Sequence, residues 1–459
     1  MCEKVICKEQ EVIAACKNIF TMLNVAERQI TIPLLSVALL SLVQSKMMEI
    51  GEFFKGVFCL AGQSQSGKTQ LFKLFLDFER GRQTDTNFES TQASIIRIIS
   101  NKRDAVATID DYKPTSTGSV RKAQMSLLER IIRMCGDDSH GYQKAGAGKS
   151  TVAEISYCIV AITAEEIRLP VQSTLARLLI VEITRQSMNW DTLTVCQNNH
   201  NSYKTFLINY IMYISSQGVS NYCNNLAKRF STERNTLRNR LLAKDKNIKV
   251  DNRTNDQCTW LFISFDTFLN YALTVNAINQ EQFEMYKQES LQIFLNLMKE
   301  QAERINDLDD VERFFSALRT LLDTKEARLY KVRDGYSYPD SEASKAAIGF
   351  SKEGFIYLKN DVAFRAVTSY CKRYGKDFVM NEATLRKRLY DNGHIDLYST
   401  TPKSLSHRRY VNHKNYQCIR FEERVFEKLL KGGKNDDTGS KEEIRANRLI
   451  SQTAEEILG

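Results

Sequence analysis

The run Gly62-Gln-Ser-Gln-Ser-Gly67-Lys68-Thr69 follows the spacing G-x-x-x-x-G-K-[ST]. In a loop of that pattern, glycines let the backbone curl until successive N–H groups face a β-phosphate, a lysine supplies a point charge, and a hydroxyl meets Mg²⁺. Gly62, Gln63, Ser64, Gln65, Ser66, Gly67, Lys68, Thr69 and Gln70 are therefore the expected phosphate cradle, with Thr69 on the metal. A second chemistry-bearing element is Val106-Ala-Thr-Ile109-Asp110-Asp111, an apolar strand ending in two carboxylates. Asp110 is expected to hold Mg²⁺ through its water shell, and Asp111 to orient or polarise the water that attacks a γ-phosphate. Thr163, followed by Glu165 and Glu166, either hydrogen-bonds that water or simply caps a strand. Arg177, just before an apolar run, either reaches the γ-phosphate of a neighbouring subunit or makes a structural ion pair. Arg168 and Arg185 are rivals for that role.

These residues need a particular scaffold. An apolar strand at Gly56–Ala61 and a helix at Gln70–Glu79 flank the cradle. Helices at Thr91–Lys102 and Val120–Met134, with strands at Ala105–Ile109, Glu154–Thr163 and Leu178–Ile183, complete an alternating pattern that predicts a largely parallel α/β sheet. A second phosphate-loop-like run, Ala145-Gly-Ala-Gly-Lys-Ser150, is rejected: Gln143 replaces the first glycine and the run leads into a strand.

The chain has 459 residues, enough for about three domains at roughly 150 residues each. Its ordinary apolar and charged fractions, five prolines and twenty glycines exclude collagen-like, low-complexity and multi-span membrane classes. The net charge is +9, and residues 365–434 alone hold 16 Lys+Arg against 7 Asp+Glu, leaving the remainder balanced. Such a local excess suits a module that touches phosphate backbones, or a basic surface without a partner. Eleven scattered cysteines without a Cys-x-x-Cys, and no secretory leader, predict free thiols in a reducing cytoplasm. The apolar run Ile30–Val43 contains Pro33 and falls short of the ~20 residues of a spanning helix, so it is expected to be a buried helix.

The domains expected are an N-terminal helical segment at 1–50, a P-loop ATPase core at 51–195, a helical lid at 196–335, a basic DNA-binding domain at 336–434 and a mobile tail at 435–459. In the basic domain, Arg386, Lys387 and Arg388 fan over a helix whose Leu385 and Leu389 face inward; Lys403, Arg408 and Arg409 precede a strand at Tyr410–Phe421. Helix, turn and basic hairpin is the plan of a winged helix, used for DNA or only for protein contacts. Lys144 and Lys149, among the glycines of 141–154, sit either on a hairpin that grips single-stranded nucleic acid or in an exposed loop.

Taken in order, the cradle, the Asp110–Pro114 strand end, a long helix, the Gly141–Ser150 stretch, Thr163-Ala-Glu165 and Ser-Thr-Leu-Ala-Arg177 resemble the AAA+-type ATPase domain of primase–helicase proteins from bacterial mobile elements. That group is similar in plan to superfamily 3 and minichromosome-maintenance helicases. The resemblance spans roughly residues 30–195, with a looser likeness of the tail to a winged helix. It implies a P-loop sheet core, a helical region and a winged helix; ATP and Mg²⁺; Gly67, Lys68 and Thr69 on nucleotide; Asp110 and Asp111 for metal and hydrolysis; Thr163 as sensor; and Arg177 acting in trans. It also implies a homo-oligomer, a hexameric ring, that moves on single-stranded DNA in the cytoplasm, with duplex DNA at the winged helix. No primase portion precedes residue 30, so a primase or polymerase is expected as a separate partner. Asp111 stands where many relatives have Glu, and Thr108 interrupts the apolar strand. The competing expectation is a DNA-binding AAA+ loader or regulator that uses ATP as an assembly switch and unwinds nothing.

Overall fold

Val57–Ala61 is five buried residues in succession, and such a run belongs in a strand covered on both faces. In the computed structural model this strand, β1, is flanked on both sides by parallel neighbours. The structure describes residues 8–76, 84–113, 118–137, 141–142, 153–154, 156–167, 169, 171–246, 248–306, 310–332, 347–374, 380–391, 393–395, 405–411 and 414–431. Their contacts form two units, Met1–Ile305 and Asn306–Gly459.

The first unit opens with helices α1 (Glu9–Met22), α2 (Arg28–Ser41) and α3 (Gln44–Glu49), before β1 and α4 (Lys68–Phe75). Then come β2 (Thr86–Asn87), α5 (Gln92–Asn101), β3 (Arg103–Tyr112), α6 (Gly118–Gly136), β4 (Gly141–Tyr142), β5 (Ala153–Glu154), β6 (Tyr157–Ala164), α7 (Gln172–Leu175) and β7 (Leu178–Glu182). Five strands form one parallel sheet in the order β2-β3-β6-β1-β7. The register sets Val57 beside Val160 and Leu178, and Ala61 beside Ala164 and Glu182. The carboxyl ends of β1, β3, β6 and β7 therefore converge at one edge.

Alternate strand residues divide the covering layers. Phe58, Leu60, Val106, Ile159, Ala161, Leu179 and Val181 join a core with α1, α2, α4 and the helices that follow the sheet. Those are α8 (Trp190–Gln197), α9 (His200–Ser216), α10 (Val219–Lys244), α11 (Asn252–Thr274) and α12 (Gln280–Asn306). The α1 helix packs on α9, and α2 on α11. Pro33 lies inside α2, the buried helix expected at that position. Among the described residues, no helix is long and apolar enough to cross a membrane. The nine described cysteines are free and buried. The expected N-terminal segment, sheet and helical region to residue 305 thus share one continuous apolar core.

Edge strand β7 would expose unpaired backbone groups. Gln301 of α12, fully buried, answers them: its amide donates to the carbonyls of Leu175 (3.1 Å) and Leu178 (2.8 Å) and accepts from the Ile180 N–H (3.4 Å). Replacing Gln301 by Leu orphans these groups at a cost of roughly 1–3 kcal/mol for each one left buried. A clear fall in the urea unfolding midpoint of Gln301→Leu is the expected result; an unchanged midpoint contradicts this role.

The second unit contains α13 (Asp310–Asp323), β8 (Leu329–Lys331), β9 (Gly349–Lys352), β10 (Phe355–Lys359), α14 (Asn360–Arg373), α15 (Glu382–Asp391), β11 (His407–Val411), β12 (Lys414–Glu422) and α16 (Glu423–Leu430). Its sheet runs β11-β12-β10-β9-β8, antiparallel except for β8 beside β9. Phe314, Phe315 and Leu318 of α13 share a core with Val367, Leu385, Leu389 and Phe421. Helix α13 therefore belongs to this unit and not with the helices expected as a lid at 196–335.

Candidate functional site: a phosphate-loop cleft

The phosphate loop is shaped by two glycines that nothing else replaces. A Cβ on Gly62 would lie 2.2 Å from the Ile183 carbonyl, closer than any side chain tolerates. Gly67 caps α4 with φ +91°, a left-handed conformation that favours glycine. Met188 lies over Gly67, with Sδ 3.1 Å from where a Cβ would stand. Between the glycines, Gln65 also has a positive φ of 63°.

Lys68 lies in the first turn of α4 and is only 9% exposed. Its ammonium donates to the carbonyls of Gly62 (2.6 Å) and Gln63 (2.8 Å) and to Ser66 Oγ (3.4 Å). Burial lowers its pKa, while Glu165, Asp110 and Asp111 oppose that shift. The carboxylates thus favour the charged form in a site that otherwise disfavours it.

Thr69 points the other way. Its hydroxyl donates to Asp110 Oδ2 at 3.0 Å, bringing together the two residues expected at the metal. This all-oxygen pair suits Mg²⁺, a hard cation commonly held by one or two carboxylates together with substrate phosphates. The described residues contain no cluster of three His, Cys, Asp or Glu side chains able to enclose a metal without a substrate.

Asp110 and Asp111 separate at an irregularity in β3. The pairing with β6 shifts between Ile109 and Tyr112, and Asp111 has φ 68°. Such a bulge re-aims one side chain relative to its neighbour. The Asp111 carboxylate consequently meets Lys113 Nζ at 2.8 Å, which raises the lysine's pKa. Thr163, only 1% exposed, sits between the two aspartates. It accepts from the Asp111 N–H at 2.8 Å and donates to Asp110 Oδ1. Its hydroxyl therefore ties the Asp110 carboxylate to the Asp111 backbone amide. Glu165, two residues on, accepts from Ser64 Oγ at 2.6 Å and lies 3.8 Å from Lys113.

Together these groups border a cleft of about 450 Å³, lined by the phosphate loop from Ser64 to Gln70, by Asp110, Asp111, Thr163 and Glu165, and at its rim by Arg185 and Trp190. Lys113 belongs to the Asp110–Pro114 stretch but carries no role from sequence alone, and neither does Trp190. Lys113 signals itself only by adjacency to the paired aspartates, and nothing local marks Trp190.

Arg177 lies elsewhere. It precedes β7 at the strand end opposite Glu182, so it does not reach the cleft of its own chain. Its guanidinium forks onto Asp137, with Nε at 2.8 Å, and also donates to the Ser173 carbonyl. Of the two candidates among the described residues, Arg185 lines the cleft. Arg168, Lys144, Lys149, Lys403 and the rejected run Ala145–Ser150 lie outside the described residues. The backbone on either side of the lysines pairs antiparallel, Gly141 with Glu154 and Tyr142 with Ala153.

In the second unit, Leu385 and Leu389 are buried as expected, and Lys387 is exposed. Arg386 does not fan outward: it is half-buried, donates to Ser406 Oγ at 2.6 Å and pairs with Glu382 at 3.1 Å. Arg388 is also half-buried. Arg408 and Arg409 take opposite faces of β11, because strand side chains alternate. Arg408 is exposed, whereas Arg409 stacks on Tyr357 and donates to its hydroxyl at 2.7 Å.

Among solved structures, SCCmec type IV Cch, an active helicase, matches with a TM-score of 0.57 at 14% identity, over 90% of this chain and 71% of that one. The chain shares that helicase's fold. The five-stranded parallel sheet and its many helices are consistent with the fold of a P-loop helicase. The apo A form of the NrS-1 C-terminal region matches over 86% of this chain and 75% of that one, but a TM-score of 0.30 at 11% identity carries no argument. No protein-family model and no curated protein matches the chain.

Proposed function

We propose that this chain is an ATP-driven DNA helicase or translocase of a mobile genetic element. The observation that carries the reading is the contact of Thr69 with Asp110 beside a buried Lys68, at the convergent ends of parallel strands. Such an arrangement binds a triphosphate and its cation, and the fold shared with an active helicase supports a motor as its use.

In this reading the loop N–H groups and Lys68 hold the β- and γ-phosphates. Thr69 and Asp110 hold Mg²⁺, which neutralises charge on the phosphoryl oxygens. Thr163 fixes the direction of Asp110. Asp111 orients the attacking water after its carboxylate parts from Lys113. The chains assemble as a ring, proposed to be a hexamer, with ATP at each seam and Arg177 of one subunit serving the next subunit's cleft. Lys144 and Lys149 grip single-stranded DNA in the channel. The C-terminal unit acts as a winged helix on duplex DNA, with Lys387 and Arg408 as its outward cations, supported by Arg386, Arg388, Lys403 and Arg409. A separate primase or polymerase works with it in the cytoplasm.

Arg177→Ala is expected to retain nucleotide binding and lose turnover. Mixed with Lys68→Ala, it should regain part of that turnover at hybrid seams. Failure of the mixture to complement assigns Arg177 to its ion pair with Asp137 alone. The motor reading is tested by strand displacement on a forked duplex. ATP-dependent unwinding is expected. ATP-dependent assembly on DNA without unwinding supports the loader reading instead.

A further inference from the structure

Trp190 is 42% exposed on the rim of the phosphate cleft. An indole exposed at a pocket offers a large, rigid aromatic face to whatever enters it. The chain's other tryptophan, Trp260, is buried and stacks on Phe230 at 4.2 Å.

The position of Trp190 is tightly set. Met188, two residues earlier, lies against Gly67 and forms an antiparallel bridge with Ala26. The Glu27 N–H donates to the Ser187 carbonyl at 3.0 Å, and the Asn189 N–H to the Val25 carbonyl at 2.8 Å. The Asn189 side chain caps α8 by accepting from the Thr192 N–H at 3.0 Å. At the far end of α8, Gln197 donates to Gln70 Oε1 at 3.0 Å, tying that helix to the first turn of α4. The backbone that carries Trp190 is thus anchored beside the phosphate loop by contacts on both sides of it.

We infer that Trp190 is the base platform of the cleft: the base of a nucleoside triphosphate lies flat on the indole while its phosphates occupy the loop around Lys68. The inference rests on the phosphate-loop reading and adds the half of the ligand that the motif does not address. The indole's ring face, the negative side of its quadrupole, does not attract a phosphate but stacks on any heteroaromatic base, since every base has a π-face. The cleft's lining also includes the polar side chains of Gln70 and Arg185. An amide both donates and accepts, so Gln70 meets a purine amino or carbonyl edge alike. The substrate class is accordingly nucleoside triphosphates read by their flat face, with weak discrimination among bases.

The test compares ADP with inorganic tripolyphosphate, a probe that fills a phosphate cradle but has no base. Both are titrated with Mg²⁺ into the full chain and into Trp190→Ala, Trp190→Phe and Lys68→Ala, following calorimetry and tryptophan emission. ADP should change the emission of the wild-type chain and leave that of Trp190→Ala, which reports Trp260 alone, unchanged. Trp190→Ala should bind ADP roughly 5- to 150-fold more weakly, the range of base–aromatic stacking. Trp190→Phe should recover most of the loss, and tripolyphosphate affinity should not move. Equal ADP affinity in wild type and Trp190→Ala, with binding still dependent on Lys68, overturns the platform and leaves the phosphate site standing. Absence of Lys68-dependent binding of either probe overturns both.

Discussion

Lys68→Ala leaves the purified chain without measurable ATP turnover, a fall of at least roughly 10²–10³-fold, the scale expected when one preorganised electrostatic partner is removed. Two effects combine. The phosphates lose the point charge that faces them, and the carbonyls of Gly62 and Gln63 lose the ammonium that now bridges them. Lys68→Arg does not rescue. The slot is closed by three oxygen partners around a compact ammonium, whereas guanidinium is a planar fork with different geometry. Circular dichroism and the thermal midpoint separate this loss from misfolding. Turnover within about tenfold of wild type in Lys68→Ala, a residual far above the expected loss, contradicts the site.

Asp110→Asn produces the second large effect. Asp110 is the carboxylate in contact with the Thr69 hydroxyl, and the amide keeps its shape and much of its hydrogen bonding while removing its charge. Turnover is expected to fall by roughly 10²-fold or more, because the paired oxygen donors no longer neutralise a divalent cation. The Mg²⁺ concentration for half-maximal turnover should rise in parallel. Asp111→Asn is expected to do less to that Mg²⁺ dependence, since its carboxylate lies against Lys113 rather than Thr69. A Mg²⁺ titration on both variants checks this. A larger Mg²⁺ shift for Asp111→Asn would reverse the assignment of the two aspartates.

The parts of this site that could be read from sequence are those built by short-range spacing. The phosphate loop, its preceding strand and its following helix are local, so eight consecutive residues and their flanks identify them. The apolar runs of β1, β6 and β7 also stand out, because strands buried on both faces need unbroken hydrophobic stretches. Strand β2 has only two residues and no apolar alternation, so nothing in its local pattern marks it. The division of labour between Asp110 and Asp111 depends on the bulge near Tyr112, a backbone event that carries no residue signature. Trp190 stands at the cleft in a segment anchored by Ala26, distant in sequence, which bridges to Met188 two residues before it. The tie from Arg386 to Ser406 crosses twenty residues and turns an expected surface cation into a half-buried one. Helix α13 has the same helical period as the helices before it; only its packing on Phe421 and Leu389 joins it to the C-terminal unit.

The coupling of the phosphate-loop cleft to DNA is tested most directly by steady-state ATP turnover of the purified full chain, measured with and without single-stranded DNA. The account predicts Mg²⁺-dependent turnover that rises several-fold with DNA and vanishes in Lys68→Ala under both conditions. Turnover that DNA leaves unchanged contradicts the motor, and no turnover with or without DNA contradicts the account at its root.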